Sequence, residues 1–292
     1  MTTPAAPEIC CDLHMHSTAS DGTCSPSELV AEAMALGLQA VALTDHDTFG
    51  GVAAMEAEAR ANGLRFIPGI ELSVELADGG GIHMLGYCFT RGRDILEREL
   101  ERIIAGREAR NRQIVTRLCE LGLELTYDEV LAQAGGKIIG RPHFAAVMVR
   151  RGYVAEPREA FDKYLAKGKA AYFDRERFTA EQGISLIREC GGVAVLAHPS
   201  LLTLPAGQTL DDVIRHLADC GLGGIECYYS LHTPEQTNTY LAFARRYGLV
   251  VTGGSDYHGG RKPDIRMGCG KGDLRVPLRC ADELEARAAQ AA

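Results

Sequence analysis

At 292 residues, with 46% hydrophobic and 24% charged side chains, the chain is long enough for one large domain, or one domain carrying a smaller insert, with a core that needs no disulfide staples. Its formal charge of −8 excludes the broad basic field that holds a long nucleic-acid backbone, so a small anionic substrate must meet a local positive centre. No run approaches the roughly 20 apolar residues of a membrane span, and the first nine residues lack the basic and apolar regions of a secretory leader; a cytoplasmic protein with no membrane partner is expected. Ten cysteines occur without a Cys-x-x-Cys pair, and Cys10, Cys11, Cys88, Cys119, Cys190, Cys220 and Cys227 lie in apolar or helix-like segments. They read as reduced, buried thiols.

The first element is a short strand leading into Asp12-Leu13-His14-Met15-His16. Alternation puts Asp12, His14 and His16 on one face, with the two imidazoles about 7 Å apart, a spacing that can hold one metal ion. Asp21 follows after a Ser/Thr-rich turn and adds a hard oxygen ligand. Ser25 as N-cap and Pro26 at the first helical position open a helix that stops near Gly37. Ala40-Val41-Ala42-Leu43 is an apolar run typical of a parallel strand buried on both faces, and it ends on Thr44-Asp45-His46-Asp47. A helix over 51–62 leads to strand residues 65–68 and then Gly69-Ile70-Glu71.

After a turn over 75–81, Ile82-His83-Met84-Leu85-Gly86-Tyr87 is the next strand. Residues 95–165 differ in texture: dense in Arg and Glu, with apolar residues at helical spacing in Leu96, Leu100, Ile103, Ile104 and again in Ile114, Leu118, Leu121. They read as a helical insert, broken at Gly135-Gly136. The βα alternation then resumes. A helix over 179–190 precedes Val193-Ala194-Val195-Leu196-Ala197-His198, one over 210–220 precedes Gly224-Ile225-Glu226, and one over 234–247 precedes Val250-Val251-Thr252-Gly253-Gly254-Ser255-Asp256-Tyr257-His258. The tail over 283–292 reads as a frayed helix. The domain plan is thus barrel residues 10–94, insert 95–168, and barrel residues 169–282.

Each strand end carries a ligand-capable side chain, giving the set His14, His16, Asp21, His46, Glu71, His83, His198, Asp256 and His258, which holds six of the nine histidines. Six imidazoles and three carboxylates exceed the needs of one ion and suit two or three divalent ions sharing bridging carboxylates. Three such ions and three carboxylates sum to about +3, a charge that attracts phosphate. The chemistry on offer is hydrolysis by metal-activated water. No Gly-x-Ser-x-Gly elbow, Walker loop or Gly-x-Gly-x-x-Gly follows a strand.

In its motifs Asp12-Leu13-His14-Met15-His16-Ser17, Thr44-Asp45-His46-Asp47, Gly69-Ile70-Glu71, Ile82-His83-Met84-Leu85-Gly86, Ala197-His198-Pro199 and Gly254-Ser255-Asp256-Tyr257-His258, the chain resembles the PHP (polymerase and histidinol phosphatase) family of the amidohydrolase superfamily. The resemblance implies an α/β fold, a distorted (β/α)7 barrel with a mostly helical insertion, and a trinuclear site filled by manganese, iron or zinc. It implies one metal on His14, His16, Glu71 and Asp256, a second on Glu71, His83 and His198, and a third on Asp21, His46 and His258. Gly140-Arg141-Pro142-His143 is similar to the branch that opens 5-phosphoribosyl 1,2-cyclic phosphate and then removes the monoester. The alternative branch acts on 3′,5′-bisphosphonucleotides or, as a 5′-3′ exonuclease, on oligoribonucleotides.

Asp12 and Asp45 read as carboxylates holding ligand imidazoles from behind, with Asp45 counted among the catalytic candidates. Arg141 is placed to fork onto phosphate at a helix N-terminus, and His143 to protonate a leaving oxygen. Lys169, Arg175 and His232 complete the substrate-binding candidates, whereas His216 reads as a surface residue. Expected partners are a small phosphorylated ribose or nucleotide, with no protein partner inferable. Two other classes compete: a metal- and phosphate-binding module without turnover, and amide or deaminating hydrolysis on the same barrel.

Overall fold

The computed structural model describes residues 10–76, 80–134, 139–174 and 176–291. Its chain divides into two compact units, one built from the segment up to Arg98 and from Phe178 onward, the other from Glu99–Arg177.

The first unit is a mixed sheet rolled into a distorted barrel. Strand β1 (Cys10–Asp12) lies beside β2 (Ala40–Leu43), which lies beside β3 (Arg65–Glu75), all parallel. All four β2 residues are buried, as a strand covered on both faces requires. β3 turns back antiparallel onto β4 (Gly81–Tyr87), in register from Gly69 opposite Tyr87 to Glu75 opposite Gly81. Residues 65–73, which the sequence divides at Pro68-Gly69, therefore form one strand. β5 (Phe178–Thr179) pairs with the end of β3. β4 continues antiparallel to β6 (Val193–Leu196), then β7 (Gly224–Tyr229) and β8 (Val250–Gly254) follow in parallel.

The ends of β8 and β1 close the ring through the residues beyond them. Leu13 N donates to Gly253 O at 3.1 Å, Asp256 N to His14 O at 2.8 Å and His16 N to Tyr257 O at 2.9 Å. These closing contacts bring the two richest ligand motifs, 12–16 and 254–258, side by side.

The helices start where the sequence places their caps. Ser25 with Glu28 opens α1 (Pro26–Ala35), and α2 (Val52–Asn62) ends on left-handed Gly63. Reciprocal Thr-x-x-Gln or Thr-x-x-Asp boxes open α7 (Ala180–Glu189), α8 (Leu210–Asp219) and α9 (Pro234–Tyr247); caps of this kind are worth about 1 kcal/mol each. Here α3 to α6 denote the intervening helices of the second unit.

The tail corrects the expectation of a frayed end. A short strand β9 (Val276–Pro277) pairs antiparallel with β1, and α10 (Arg279–Ala291) packs Ala281, Leu284 and Ala288 into the core cluster that holds Cys11, Ala40, Val195 and Val276. Ala/Glu/Arg composition hides a seam of apolar residues three and four apart. Arg65 further binds Asp282 and Glu285, each at 2.6 Å.

In the second unit, α3 (Asp94–Glu120), within which the division falls, is followed by α4 (Tyr127–Ala134), α5 (Arg141–Arg150), and α6 (Pro157–Ala160) running into a π turn over Phe161–Leu165. Its core gathers Ile114, Leu118, Val130, Phe144, Val147, Met148 and Leu165. The expected break at Gly135-Gly136 and the turn at Asp78 lie outside the described residues.

The ten cysteines are free. Cys11, Cys190 and Cys227 are buried, and Cys10, Cys88 and Cys220 partly so; Cys119 departs from the expectation by being exposed. Among the described residues no helix is long and apolar enough to cross a membrane.

Candidate metal centre

All nine sequence-selected ligand candidates meet at one end of the barrel, and their hub is Glu71 on β3. Its Oε2 lies 3.3 Å from His14 Nε2, 3.1 Å from His16 Nε2 and 3.2 Å from His46 Nδ1. Its Oε1 lies 2.9 Å from His83 Nδ1 and 3.0 Å from His198 Nε2. Five imidazoles thus face one carboxylate that is 1% exposed. On one flank Asp256 Oδ1 sits 3.3 Å from His16 Nε2 and 3.7 Å from His14 Nε2. On another, Asp21 Oδ1 sits 3.6 Å from His16 Nδ1 and 3.3 Å from His258 Nε2.

Three overlapping sets have ligand atoms within 4.8 Å of one another: His14, His16, Glu71 and Asp256; His16, Asp21, His46 and His258; and His46, Glu71 and His83. The first matches the implied group. The second adds His16 to the implied Asp21, His46 and His258. The third pairs His46 with Glu71 and His83, while His198 Nε2 stands 3.3 Å from His83 Nδ1.

The residues fit divalent cations on an observation independent of any relative. His14 Nε2, both His16 nitrogens, His46 Nδ1, Glu71 Oε2 and His198 Nδ1 are buried with no hydrogen-bond partner. Buried polar atoms are rarely left so, because each costs about 1–3 kcal/mol. Here they crowd together, as lone pairs do around an ion.

Charge states point the same way. Burial alone would drag His14 down, yet the charges of Glu226 and Glu71 hold it well above its ordinary value. Burial is likewise outweighed at His16, which the adjacent carboxylates of Asp256 and Glu71 lift to about 9. His46 goes the other way, to about 4, through burial and the neighbouring His16 and His83. Burial would raise the Glu71 carboxyl, but His46, His83 and His14 hold it well below the usual range. Asp21 and Asp256 are lowered against burial as well, by His258 and by His16 respectively. Protons alone satisfy this cluster unevenly; divalent cations would satisfy all of it.

Imidazole orientation is fixed from behind, and the residue chiefly responsible was not singled out from the sequence. Glu226, fully buried on β7, takes the His14 Nδ1 hydrogen at 2.9 Å through Oε1 and the His198 backbone N–H at 2.7 Å through Oε2. This tautomer turns the His14 Nε2 lone pair to the cluster. His258 Nδ1 donates to Asp256 O at 2.8 Å, turning its own Nε2 toward Asp21. The available signal was a lone Glu inside an otherwise apolar buried strand, Gly224-Ile225-Glu226-Cys227.

Asp12 and Asp45, expected behind the imidazoles, do other work. Asp12 accepts from Ser255 N at 2.9 Å, Ser255 Oγ at 2.6 Å and Gly268 N at 2.8 Å, tying β1 to the loop after β8. Asp45 accepts from Ser17 N at 2.8 Å, Ser17 Oγ at 2.6 Å and Ser20 Oγ at 2.5 Å. It shapes the turn between His16 and Asp21. The backbone is bent for the site too: His198 (φ 24°) and Asp256 (φ 58°) both hold left-handed conformations, strain that the surrounding bonds sustain. A Cβ on Gly254 would lie 2.3 Å from the His14 Cβ, so the close approach of the two motifs requires glycine there.

Two further residues emerge only in three dimensions. Tyr229 Oη donates to Asp256 Oδ2 at 3.0 Å, and Lys262 Nζ lies 2.7 Å from the same oxygen. Beside them opens a cavity of about 480 Å³, floored by His46, Glu71, His83, His198 and Asp256. Arg261, Lys262 and Lys271 give its wall positive charge, and Leu201, Leu231 and Ile265 give it an apolar side.

The substrate-binding candidates fall in both units. His232 lies outside that lining, its Nδ1 donating to Cys227 O at 3.0 Å and its ring edge-on to Tyr229 and Tyr240. Arg141, His143 and Lys169 belong to the second unit. His143 Nδ1 accepts from Gly140 N at 3.0 Å, a capping bond that leaves Nε2 as the nitrogen carrying the ring proton. Lys169 is exposed, and Arg175 lies outside the described residues. His216 is exposed and meets Glu181 at 2.7 Å.

The profile of the PHP domain matches residues 12–168. This chain belongs to the PHP domain family. Among PHP relatives it is 35% identical over 247 residues to a 5′-3′ exoribonuclease of Haemophilus influenzae, covering 85% of this chain and 89% of the other. It is 34% identical over 249 residues to the 3′,5′-nucleoside bisphosphate phosphatase of Chromobacterium violaceum, with 85% and 86% covered. It is 32% identical over 259 residues to the phosphoribosyl 1,2-cyclic phosphate 1,2-diphosphodiesterase of Eggerthella lenta, with 87% and 97% covered. A solved structure described as a metal-dependent phosphoesterase, from Bifidobacterium adolescentis, superposes with a TM-score of 0.73 at 30% identity, covering 96% of this chain and 97% of the other. The PHP chain is therefore a metal-dependent phosphoesterase, a hydrolase on the expected distorted barrel.

Proposed function

We propose that this PHP chain hydrolyses phosphoesters on a small ribose compound, with two or three divalent ions (manganese, iron or zinc) held by His14, His16, Asp21, His46, Glu71, His83, His198, Asp256 and His258. One observation carries the reading: five imidazoles converge on the buried Glu71 at the floor of a cavity whose wall holds Arg261, Lys262 and Lys271. Bound ions supply Lewis-acid polarisation of phosphoryl oxygens and an activated water. Phosphate suits the three basic side chains better than a neutral amide, and a complete ligand set argues against a module without turnover.

The chain's own residues do the rest. Glu226 fixes the His14 tautomer and, through the backbone of His198, the strained turn that aims this imidazole inward. Tyr229 and Lys262 occupy the outer oxygen of Asp256 and leave the inner one turned to His14 and His16. Lys262, beside that carboxylate and lining the cavity, is positioned to neutralise a phosphoryl oxygen and to hand a proton to the departing sugar oxygen.

The cavity supports a nucleotide substrate, a 3′,5′-bisphosphonucleotide or the end of a short RNA, because Leu201, Leu231 and Ile265 offer a base an apolar wall that a bare sugar phosphate has no use for. The second reading, 5-phosphoribosyl 1,2-cyclic phosphate, draws on the Gly140-Arg141-Pro142-His143 stretch. Phosphate release from the manganese-loaded protein, compared among 3′,5′-bisphosphonucleotides, short RNA, 5-phosphoribosyl 1,2-cyclic phosphate and histidinol phosphate, tests both. On the nucleotide reading Leu231→Ala raises KM for the nucleotide and leaves the cyclic sugar phosphate unaffected. Turnover of the cyclic compound alone sinks the nucleotide reading, and no phosphate release from any of the four sinks the proposal.

A further inference from the structure

Of the three cations on the wall of the cavity above Glu71, one is already engaged. Lys262 Nζ lies 2.7 Å from Asp256 Oδ2. Arg261 and Lys271 line the same cavity and meet no carboxylate, backbone carbonyl or aromatic face among the described residues. Asp264 shares the wall with them and is paired with neither. In a chain with 39 Asp and Glu against 31 Lys and Arg, cations readily find a carboxylate. Elsewhere in the barrel unit Arg65 binds Asp282 and Glu285, each at 2.6 Å, Arg215 meets Asp212 at 2.8 Å and Arg246 meets Asp211 at 2.9 Å. The two uncommitted cations that face the cavity therefore stand out from those on the outer surface.

The loop that carries them, residues 259–274, is fixed at several points. Gly260 N donates to Thr23 Oγ1 at 2.8 Å and Gly268 N to Asp12 Oδ2 at 2.8 Å. Arg266 and Gly270 exchange backbone hydrogen bonds at 2.9 and 2.8 Å, and Ile265 and Met267 are buried. Gly270 is left-handed (φ 55°), and a Cβ there would lie 2.5 Å from Ser230 Oγ, which itself donates to Ser255 O at 2.6 Å. Lys271 thus starts from backbone pressed against the segment that carries Asp256, while Arg261 immediately precedes the lysine bound to that carboxylate. Charges presented on a held backbone lose less freedom when they meet an anion.

We propose that Arg261 and Lys271 form an anion subsite that takes a phosphate of the substrate other than the one being cleaved, so that they select ribose compounds carrying a second phosphate. The ligand cluster on the floor serves the reacting phosphoryl group, and Lys262 stands beside it on Asp256; the two uncommitted cations remain for a further anion. Arginine forks onto phosphate oxygens in pairs, and lysine adds a compact point charge. A cavity of about 480 Å³ lies within the range of small-ligand sites. The inference rests on the phosphoesterase reading of the same cavity. Binding of an uncleavable analogue reads it without turnover, so the two fail separately: absence of phosphate release from every substrate sinks that reading, and absence of a preference for a second phosphate sinks this one.

The probe is the analogue of adenosine 3′,5′-bisphosphate in which CH2 replaces both ester oxygens, compared with the two analogues that keep only one of its phosphonates. Calorimetry on the full-length, metal-loaded protein should show the bisphosphonate bound roughly tenfold or more tightly than either monophosphonate. The double variant Arg261→Gln, Lys271→Gln should lose most of that ratio and hold the monophosphonates within about twofold of the parent. Both side chains are exposed, so this variant should melt within about 2 °C of the parent. Arg266→Gln removes the same charge from an exposed position of the same loop outside the cavity lining, and should leave the ratio intact. An equal fall in Arg266→Gln assigns the effect to the general field of the loop and overturns the subsite. A parent that does not discriminate overturns it too, as does a double variant that keeps the parent's ratio. In turnover, kcat/KM for adenosine 3′,5′-bisphosphate should drop roughly tenfold or more in the double variant, through KM, with the two adenosine monophosphates unaffected. A loss of kcat on all three compounds would place these cations in the chemistry rather than in recognition, and the proposal would fall.

Discussion

Around Glu71, six imidazoles and three carboxylates lie close enough to touch, and several ring nitrogens and a carboxylate oxygen among them lack hydrogen-bond partners. Around Arg110, the charges of Arg141, Arg107 and Arg177 crowd together. The first assembly gathers ligands for cations, the second like charges of the opposite sign. Each unit has an apolar core of its own, that of Leu13 and Val195 in one and that of Phe144 and Val147 in the other.

The largest effect should come from the hub. Glu71→Gln removes the negative charge that five imidazoles share; bound metal should fall by at least one ion per chain and phosphate release by roughly 10³-fold or more, the several kcal/mol that metal assistance supplies. Elemental analysis alongside a phosphate assay checks this, and a variant that keeps both its metal and its turnover would place the hub elsewhere. Next comes Glu226→Gln, which keeps the shape but weakens the grip on His14 Nδ1. Metal affinity should drop about 10- to 100-fold with little change in fold. Titration with a chelator of known affinity reads it, and an unchanged affinity would reduce Glu226 to a packing residue.

These two residues also show what the sequence displays and what it hides. Glu71 was legible because the sequence reads as a short strand running into it, in a chain whose other strand ends carry ligand types, although β3 in fact continues to Glu75. Glu226 lies three residues inside β7 and contacts residues 212 positions away in the chain; no local spacing encodes that. Asp45 misled for the converse reason. Its place beside His46 suggested an imidazole partner, but the turn over Ser17 and Ser20 was nearer and offered three donors. The α10 tail was misjudged because alanines at helical spacing score weakly as apolar, although Ala281 and Ala288 are at most 1% exposed. In the second unit the helices were plain, whereas the gathering of Arg107, Arg110, Arg141 and Arg177 required the tertiary packing of segments seventy residues apart.

A smaller change probes the rim of the metal centre. Tyr229→Phe removes one of the two bonds to the outer oxygen of Asp256 and leaves Lys262 in place. A neutral hydrogen bond to a carboxylate of this kind is worth about 1.5–3 kcal/mol at most. A roughly tenfold loss in kcat with the metal content intact is expected, measured on the same phosphate assay. Loss of metal instead would move Tyr229 from tuning the centre to building it.

The smallest effect separates the two units by their thiols. Burial, reinforced by Glu283, pushes the Cys280 thiol up to about 12, and burial with Glu285 does the same at Cys88; Cys11 and Cys227 are raised too, mainly by burial. All four lie in the barrel unit, whereas the cysteine of the insert, Cys119, is exposed. A disulfide reagent at pH 8 should therefore label Cys119 promptly and leave Cys11, Cys227 and Cys280 untouched until the barrel unfolds, since only thiolates react. The same shifts set an alkaline limit with a definite sign. A thiol whose folded value is raised from about 8.5 contributes its stability in full below that pH, and the contribution is lost progressively as pH climbs toward the folded value. The melting temperature of the barrel should accordingly decline between about pH 9 and 12, and Cys280→Ala, which removes one of these protons, should flatten the decline. A melting curve that falls equally steeply in that variant would assign the alkaline loss to other groups, and prompt labelling of Cys280 would show that the seam between α10 and the sheet opens in the native state.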